Sequence, residues 1–463
     1  MTTVNSSRGQ ILLGATLLAQ VLLSSLAFGA NRPVWWSLLA IGIFAVLVIQ
    51  VLLGTARPKS LLPRKFAVPY LLFAAVVLWA WFQTISVPHA AWAHPFWDLV
   101  PDAVPAISAD PGQGRHAVMR LLCYATVFVV MVIVCSESNG AKMALFGIAV
   151  FSTFLALFGL YAFISGNNPI LGDLSGSGLV KATFVNRNNY ATYASFGALA
   201  NLAAATYLAD SRSNTLRDKI EGFFGGIWIF ALGAIICMAA VALTESRAGA
   251  ASGVVGLVVF LAARYSKGRW RNSGTLFIIA VAVGFVVLTS STGLTKNYLM
   301  TTSEDSRFAV YPAVVDAVKD RPILGHGLGS FQDVFRSYAP ESTASVEYLK
   351  AHNTYLELAF GLGVPAALAY LAAIGWVAFH ILRGSQNRKK DRMFSCFALG
   401  CIATAGFHSF FDFSLQIPAV AALFSAIIGL GYAQSSREAT VTRRIVSIDK
   451  LGGSRLKSAN EAA

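Results

Sequence analysis

Residues 116–164 read HAVMRLLCYATVFVVMVIVCSESNGAKMALFGIAVFSTFLALFGLYAFI. They contain two long apolar runs, 116–136 and 142–164, which are separated by a short polar turn. A helix of about 20 mostly apolar residues is long enough to cross a hydrocarbon core of about 30 Å. This stretch therefore predicts two helices that cross a membrane one after the other.

Comparable apolar runs recur along the whole chain. Hydrophobic residues make up 56% of the sequence and charged residues only 13%, and the mean hydropathy is +0.62, all outside the range of a soluble domain. We predict an all-α integral membrane protein with about 12 transmembrane helices and a large periplasmic loop that contains short helices. The predicted spans are 10–29, 34–54, 66–86, 116–136, 142–164, 188–209, 226–244, 248–264, 274–290, 354–380, 393–411 and 417–433.

Basic residues indicate the orientation of these spans. Most of the 36 Lys and Arg residues fall in loops on one side, for example near Arg64, Arg269 and Lys389, and in the C-terminal tail. Because short cytoplasmic loops are enriched in Lys and Arg, both termini are predicted to be cytoplasmic. The net charge of +14 is then a topology signal that also suits anionic lipid. It does not predict a nucleic-acid partner, since no basic patch is interleaved with aromatic residues on a soluble domain.

The predicted topology divides the chain into five segments. They are the N-terminal transmembrane helices with a first periplasmic loop (1–115), the central transmembrane helices (116–290), the large periplasmic loop (291–353), the C-terminal transmembrane helices (354–435) and a cytoplasmic tail (436–463).

The large loop is longer than structureless loops normally are, so we expect helices within it. Val310, Val314 and Val318 recur every four residues, which is typical of a helix face. The pattern stops at the sequence Asp320-Arg321-Pro322, a helix end. We expect a surface helix here, then a glycine turn, then a second short helix that leads to His352.

Three arginines on the predicted outer side are candidates for binding an anion. Arg247 stands in a very short connection between two apolar runs, and Arg187 and Arg307 each stand where an outer loop meets a helix. Each one alone could be an anchor at the membrane surface. Together they favour a site for phosphate oxygens, because the planar guanidinium group matches phosphate geometry.

His352 is the candidate for proton transfer, since it lies at the outer end of a predicted span beside Asn353 and about one turn from Glu357. A histidine can act as a base near neutral pH without large changes to its pKa. A helix cap or an interface residue is the alternative. His326, between glycines, is a weaker candidate. His408 and Asp412 are four residues apart and could pair on one helix face, which we interpret as structural.

Missing motifs narrow the reaction class. The sequence contains no GxxxxGK[ST], no DxD and no HExxH, and it has no GxSxG. A nucleotide site, a metal-bound nucleotide-sugar donor, a zinc site and a serine hydrolase are therefore not predicted, and no cofactor is expected. A site with arginines and one histidine suits a diphosphate leaving group and an acceptor hydroxyl.

Five segments, in order, resemble the O-antigen ligase and O-antigen polymerase superfamily of bacterial envelope glycan assembly. The resemblance is strongest over 181–420 and rests on TFVNRNNYATY (183–193), LTESRAGA (243–250), SRFAVYPAVVDAVKDRPILGHGLGSF (306–331), AHNTYLELAFGLGVPAALAYL (351–371) and DFSLQIPA (412–419). Its most specific parts are Ser246-Arg247, the Gly-x-Gly at 327–329 and His352-Asn353.

The resemblance implies a metal-independent glycosyltransferase in the bacterial inner membrane. Such an enzyme takes a glycan from undecaprenyl diphosphate at the periplasmic face and passes it to an acceptor hydroxyl. The acceptor is lipid A-core for a ligase and a lipid-linked growing polysaccharide for a polymerase. By this resemblance Arg247 and Arg307 would hold the diphosphate, with Arg187 as a third contact, and His352 would accept the proton. A chain-length regulator and a flippase are candidate protein partners.

Two other classes stay open. A secondary transporter or a flippase of envelope precursors would also have about a dozen helices and a basic cytoplasmic side. Transporters, however, place ionisable residues near the middle of the bilayer, and here Arg120 is a rare example of a charge inside a predicted span. A purely structural partner in an assembly complex would leave the arginines and the histidine unexplained.

Overall fold

The chain folds as a bundle of α-helices. The computed structural model describes residues 2–54, 67–87, 90–100, 102–172, 178–210, 223–265, 301–341, 347–387 and 391–435. Within these ranges the helices are α1 (Thr2–Leu23), α2 (Pro33–Leu52), α3 (Ala67–Phe82), α4 (Pro111–Val134), α5 (Ser138–Ser165), α6 (Arg187–Asp210), α7 (Trp228–Leu243), α8 (Arg247–Tyr265), α9 (Thr301–Asp320), α10 (Phe331–Phe335), α11 (Thr354–Leu362), α12 (Val364–Asn387), α13 (Arg392–His408) and α14 (Pro418–Ser435).

Among the described residues, eight helices are long and apolar enough to cross a membrane. These are Gly9–Leu26, Pro33–Leu52, Pro111–Val134, Ser138–Ser165, Gly225–Leu243, Arg247–Tyr265, Val364–Gln386 and Pro418–Ser435. The all-helical prediction is thus confirmed for this part of the chain. The predicted spans at 66–86, 188–209 and 393–411 also coincide with helices, which are shorter or more polar. The span predicted at 274–290 lies outside the described residues.

The single span predicted at 354–380 is wrong, because two helices replace it. Helix α11 ends at Leu362 and α12 begins at Val364. Gly363, between them, has a φ of 80°, and a Cβ there would lie 2.1 Å from the carbonyl oxygen of Ile323. The N–H of Val364 donates to the carbonyl of Pro322 at 2.8 Å. The backbone of Pro322 and Ile323 therefore packs against the break between α11 and α12. Hydropathy does not reveal this break, because the segment is apolar on both sides of it.

Helix α14 is the centre of the bundle, and every residue from Pro418 to Gln434 is buried. It packs against α4 and α13, and it is rich in Ala, Gly and Ser. A Cβ at Gly431 would lie 2.2 Å from the Cβ of Ala398 in α13. Small side chains let helices in a membrane approach closely, so van der Waals contact stabilises this centre.

Two loops join at one end of the bundle. The helix that ends at Asp320 is followed by a turn in which the Arg321 guanidinium donates to the carbonyls of Trp92 and Ala93, at 2.9 Å each. The N–H of Ala109 donates to the carbonyl of His326 at 2.9 Å. The short helix expected after the glycine turn is α10. These contacts fix the loop between α3 and α4 against the loop that follows α9.

Candidate functional site

His352 lies at this end of the bundle, immediately before the first turn of α11. Its backbone is left-handed, with a φ of 52°, which is rare for a residue other than glycine. The side chain is 19% exposed, and its ring packs edge-on against Phe413 with 4.9 Å between ring centroids. The hydroxyl of Tyr311 in α9 donates to the His352 carbonyl at 3.0 Å. Neighbouring segments thus hold a strained residue in a partly accessible position.

The Asp412 carboxylate lies beside the His352 ring. Its carboxylate is fully buried, and Oδ1 lies 3.8 Å from His352 Nδ1. The side-chain amide of Asn188 donates to Oδ2, and the N–H of Phe413 donates to Oδ1 at 2.7 Å. A carboxylate beside Nδ1 stabilises the imidazolium that forms when Nε2 accepts a proton. The pair can therefore support general-base chemistry.

Asn353 and Glu357 fix the backbone on both sides of His352. The Asn353 side chain caps α11, because its Oδ1 accepts from the N–H groups of Tyr355 and Leu356 at 3.1 Å each. The buried Glu357 carboxylate accepts from Lys350 Nζ at 3.2 Å and from the Ala351 N–H at 3.0 Å. These contacts support His352 through its chain neighbours.

A second polar cluster ties the start of α6 to the turn after α13. His408 Nδ1 lies 2.6 Å from Thr192 Oγ1 and 3.0 Å from Ser414 Oγ, and Ser414 Oγ donates to Asn189 Oδ1 at 3.1 Å. All four side chains are buried. The cluster holds Asn188 of α6 beside Asp412. His408 and Asp412 stand out in the sequence, but their partners Thr192 and Asn188, about 220 residues away in the chain, are revealed only by the fold.

Two of the candidate arginines lie in loops that touch each other. Arg187 begins α6, directly before Asn188. Burial and the neighbouring Arg187 guanidinium lower the pKa of Lys181, so this loop carries concentrated positive charge. The N–H of Val180 in the same loop donates to the carbonyl of Leu243 at 3.1 Å. Leu243 opens the turn to Arg247, which is exposed at the start of α8.

Arg307 lies in α9, one helical turn before Tyr311, whose hydroxyl contacts the His352 backbone. Nothing is described of the Arg307 side chain itself. The four predicted positions thus belong to segments that meet at one end of the bundle.

His326 is fully occupied by structural contacts. It is 1% exposed, its ring stacks on Phe360, and a chain of hydrogen bonds runs through it. The N–H of Phe96 donates to His94 Nδ1, His94 Nε2 lies 2.9 Å from His326 Nδ1, and His326 Nε2 lies 2.9 Å from the Ala317 carbonyl. Both rings must be neutral in this chain. Burial lowers the pKa of His326 to about 4 and that of His94 to about 3. This environment favours a structural role for His326.

A cavity of about 820 Å³ opens beside the His352 corner. Its wall includes Thr354, two residues after His352, and Phe413, whose ring packs against that of His352. Its polar lining includes Asp110, Gln113, Asn186, Asn189, Gln332, Asp333, Lys350, Glu357 and Gln416, and its apolar lining includes Leu371, Ile374, Ala378, Ile402 and Phe424. The volume suits a sizeable ligand with a polar part and an apolar part.

These features define a multi-pass helical membrane protein in which a buried carboxylate and a partly accessible histidine lie together at one end of the bundle. Over the described ranges, no group of three or more His, Cys, Asp or Glu is placed to hold a metal ion.

The family model described as O-antigen ligase matches residues 232–371. This match covers part of the chain and confirms the predicted resemblance to the O-antigen ligase and polymerase superfamily. The matched segment contains Arg247, Arg307, His326 and His352. A comparison with curated proteins finds no match.

Proposed function

We propose that this protein transfers a glycan from an undecaprenyl diphosphate carrier to an acceptor hydroxyl at the periplasmic face of the bacterial inner membrane. The observation that carries the proposal is the meeting of α6, α9, α11 and the turn after α13 at His352. Asp412, Asn188 and Tyr311 each contact this histidine or its carboxylate partner. The segments that contact it also carry Arg187 and Arg307.

The chemistry follows from the groups at this corner. The acceptor hydroxyl loses its proton to His352 Nε2 as its oxygen attacks the anomeric carbon of the donor glycan. The bond from that carbon to the diphosphate oxygen breaks, and the leaving group departs as undecaprenyl diphosphate. Asp412 stabilises the imidazolium, while Arg247, Arg307 and Arg187 stabilise the charge on the leaving diphosphate. The substrate brings its own activated leaving group, so we propose that no metal or nucleotide takes part.

The acceptor is lipid A-core or a lipid-linked growing polysaccharide, and a chain-length regulator or a flippase would act next to the enzyme. The resemblance of DFSLQIPA to members associated with exopolysaccharide favours polymerisation. A secondary transporter or flippase is the second candidate function. Arg187, Arg247 and His352 stand at helix starts at one end of the bundle, and this favours the transferase, although Arg120 lies within a span.

The decisive experiment uses purified protein with a synthetic undecaprenyl diphosphate glycan, and measures release of undecaprenyl diphosphate together with the elongated or ligated product. Wild type should form product with or without EDTA. Arg247→Ala should abolish product at normal protein level, and Arg247→Lys should recover little, since an ammonium group cannot make the bidentate contact. Arg383→Ala is the matched control. The Arg383 guanidinium lies over the Phe379 ring near the C-terminal end of α12, away from the candidate site. Movement of intact donor across vesicles without transfer would establish the transporter instead.

A further inference from the structure

Arg120 is a charged side chain in the middle of a membrane-spanning helix. It lies nine residues after Pro111, the first residue of α4, which corresponds to about 14 Å along the helix axis. That depth is close to half of the hydrocarbon thickness of about 30 Å. A charge at this depth is expensive and normally faces a partner or a water-filled cavity.

The protein itself gives Arg120 little compensation. Its guanidinium lies over the Trp36 ring, 5.6 Å from the ring centroid. In the part of the chain that the structure describes, no carboxylate lies within salt-bridge distance of it. A cation over one aromatic ring recovers only part of the hydration that it loses on burial. The charge is therefore complementary to an anion that none of the described residues supplies.

Tyr124 presents a second polar group one helical turn farther along α4. Its hydroxyl is buried and makes no hydrogen bond with any described residue. A buried hydroxyl without a partner is unfavourable by about 1–3 kcal/mol, so an acceptor from outside the chain would stabilise it. Both Arg120 and Tyr124 line the cavity beside His352.

The lining of the cavity changes along its length in a way that suits a glycolipid. Carboxylates and amides such as Asp110, Gln113 and Asp333 are near the loops. From Tyr370 to Ala378, the α12 residues that line it are mostly apolar and extend about 12 Å into the bundle. Sugar hydroxyls match the first region, and a prenyl or acyl chain matches the second.

We infer that this cavity binds the phosphate-bearing head of a membrane-embedded glycolipid substrate, with Arg120 and Tyr124 as direct phosphate contacts. The site is additional to the arginines at the loop end. This inference rests on the proposed function and names a binding residue for it. The phosphate could belong to the isoprenoid diphosphate donor or to a phosphorylated acceptor of the lipid A type, since both have the same head-group chemistry.

Binding measurements on purified protein in nanodiscs containing phosphatidylglycerol test the inference. The probes are undecaprenyl diphosphate, undecaprenol and lipid A, and the variants are Arg120→Gln, Arg120→Lys and Tyr124→Phe. Arg115→Gln is the control, because Arg115 is exposed on the same helix and does not line the cavity. All variants are compared after their thermal stability and monodispersity have been checked.

Arg120→Gln should weaken binding of a phosphate-bearing probe by about 10-fold or more, Tyr124→Phe by a few-fold, and Arg120→Lys by an intermediate factor. Arg115→Gln should bind like wild type, and undecaprenol binding should not change in any variant.

Weakening confined to undecaprenyl diphosphate assigns the cavity to the donor, and weakening confined to lipid A assigns it to the acceptor. Wild-type affinity of Arg120→Gln and Tyr124→Phe for both probes would overturn the inference and leave the proposed function intact. If wild type binds undecaprenyl diphosphate no better than undecaprenol, the proposed donor is wrong, and only the lipid A result then supports the cavity assignment.

Discussion

At the scale of single residues, the proposed proton transfer depends on the contact between His352 and Asp412. The distance of 3.8 Å between Nδ1 and Oδ1 is longer than a hydrogen bond, but such contacts often shorten when substrate binds. The Asp412 carboxylate accepts hydrogen bonds from the Asn188 side chain and the Phe413 N–H, which fix its position. The His352 side chain is therefore the partner that would move.

Asp412→Asn tests this contact. The amide keeps the size of the side chain but cannot stabilise an imidazolium, so we expect glycan transfer to fall by about 10–100-fold, less than for loss of the base itself. Protein level and donor binding should be unchanged. The rate of product formation by purified protein is the measurement. Activity within about twofold of wild type would remove Asp412 from the mechanism.

The sequence points to His352 and the arginines because short motifs surround them, whereas the role of Asp412 depends on packing. His352 and Asp412 are in different segments of the chain, and Asn188 precedes both of them by more than 160 residues. Only the way that α6, α11 and α13 pack brings them together. Arg120 was noticeable in the sequence as a charge in an apolar run, but the cavity that it faces was not.

At the scale of elements, the contact between the two outer loops depends on two neutral histidines. In the chain from Phe96 through His94 and His326 to Ala317, each ring accepts at Nδ1, so Nε2 carries the proton. An added proton would place two donors against each other. The joint between the loops is therefore sensitive to acid.

The free energy of unfolding should decrease as the pH falls through the range in which His94 and His326 titrate. The pKa values of His94 and His326 are lowered from 6.5 to about 3 and about 4, so the unfolded chain binds more protons between those limits. The stabilisation is complete above pH 6.5 and is lost as the pH decreases towards 4. Thermal unfolding of purified protein from pH 7 to pH 4.5 measures the loss, and His94→Gln should make the decline roughly half as steep. An identical slope in this variant would contradict the assignment.

The break between α11 and α12 is a second test at this scale. Gly363→Ala puts a Cβ on a left-handed backbone and against the Ile323 carbonyl, so we expect a loss of at least about 1–3 kcal/mol in stability. Gly375→Ala in α12 is the matched control, since no atom lies within 4 Å of its added Cβ. The control should be neutral or slightly stabilising. Equal unfolding temperatures for the two variants would show that the break is not constrained.

Helix positions were largely predictable because long apolar runs leave few other structures. The run from 116 to 136 becomes Pro111–Val134, and the start is earlier because the Asp110 side chain caps the helix by accepting from the Gln113 N–H. The break at Gly363 was not predictable from hydropathy, because the residues on both sides are equally apolar. Its cause is a contact with Ile323, in a distant part of the chain.

At the scale of the whole molecule, Arg264 and Arg392 lie at the opposite end of the bundle from the candidate site. Helix α6 begins beside the His352 corner and ends at Asp210, whose carboxylate pairs with Arg264 at 2.7 Å. Arg392, which begins α13, donates to the carbonyl of Ala263 at the same end. With the basic end in the cytoplasm, the site would face the periplasm.

Reporter fusions test this orientation. Fusions at Lys219 and Arg388 should give cytoplasmic signals and a fusion at Ala344 should give a periplasmic signal, since the first two lie in basic loops. All three positions are outside the described residues. A cytoplasmic signal at Ala344 would reverse the orientation and place the site on the wrong face for a periplasmic transferase.

We propose that His352 removes the proton from the acceptor hydroxyl, and the rate of glycan transfer by purified His352→Ala is the measurement that tests this role. The assay uses the synthetic undecaprenyl diphosphate glycan. The control is His380→Ala, in the C-terminal part of α12. We predict that His352→Ala loses about 10²–10⁴-fold in rate while it still binds the donor, and that the control keeps its rate. A His352→Ala rate within about threefold of wild type would contradict the claim.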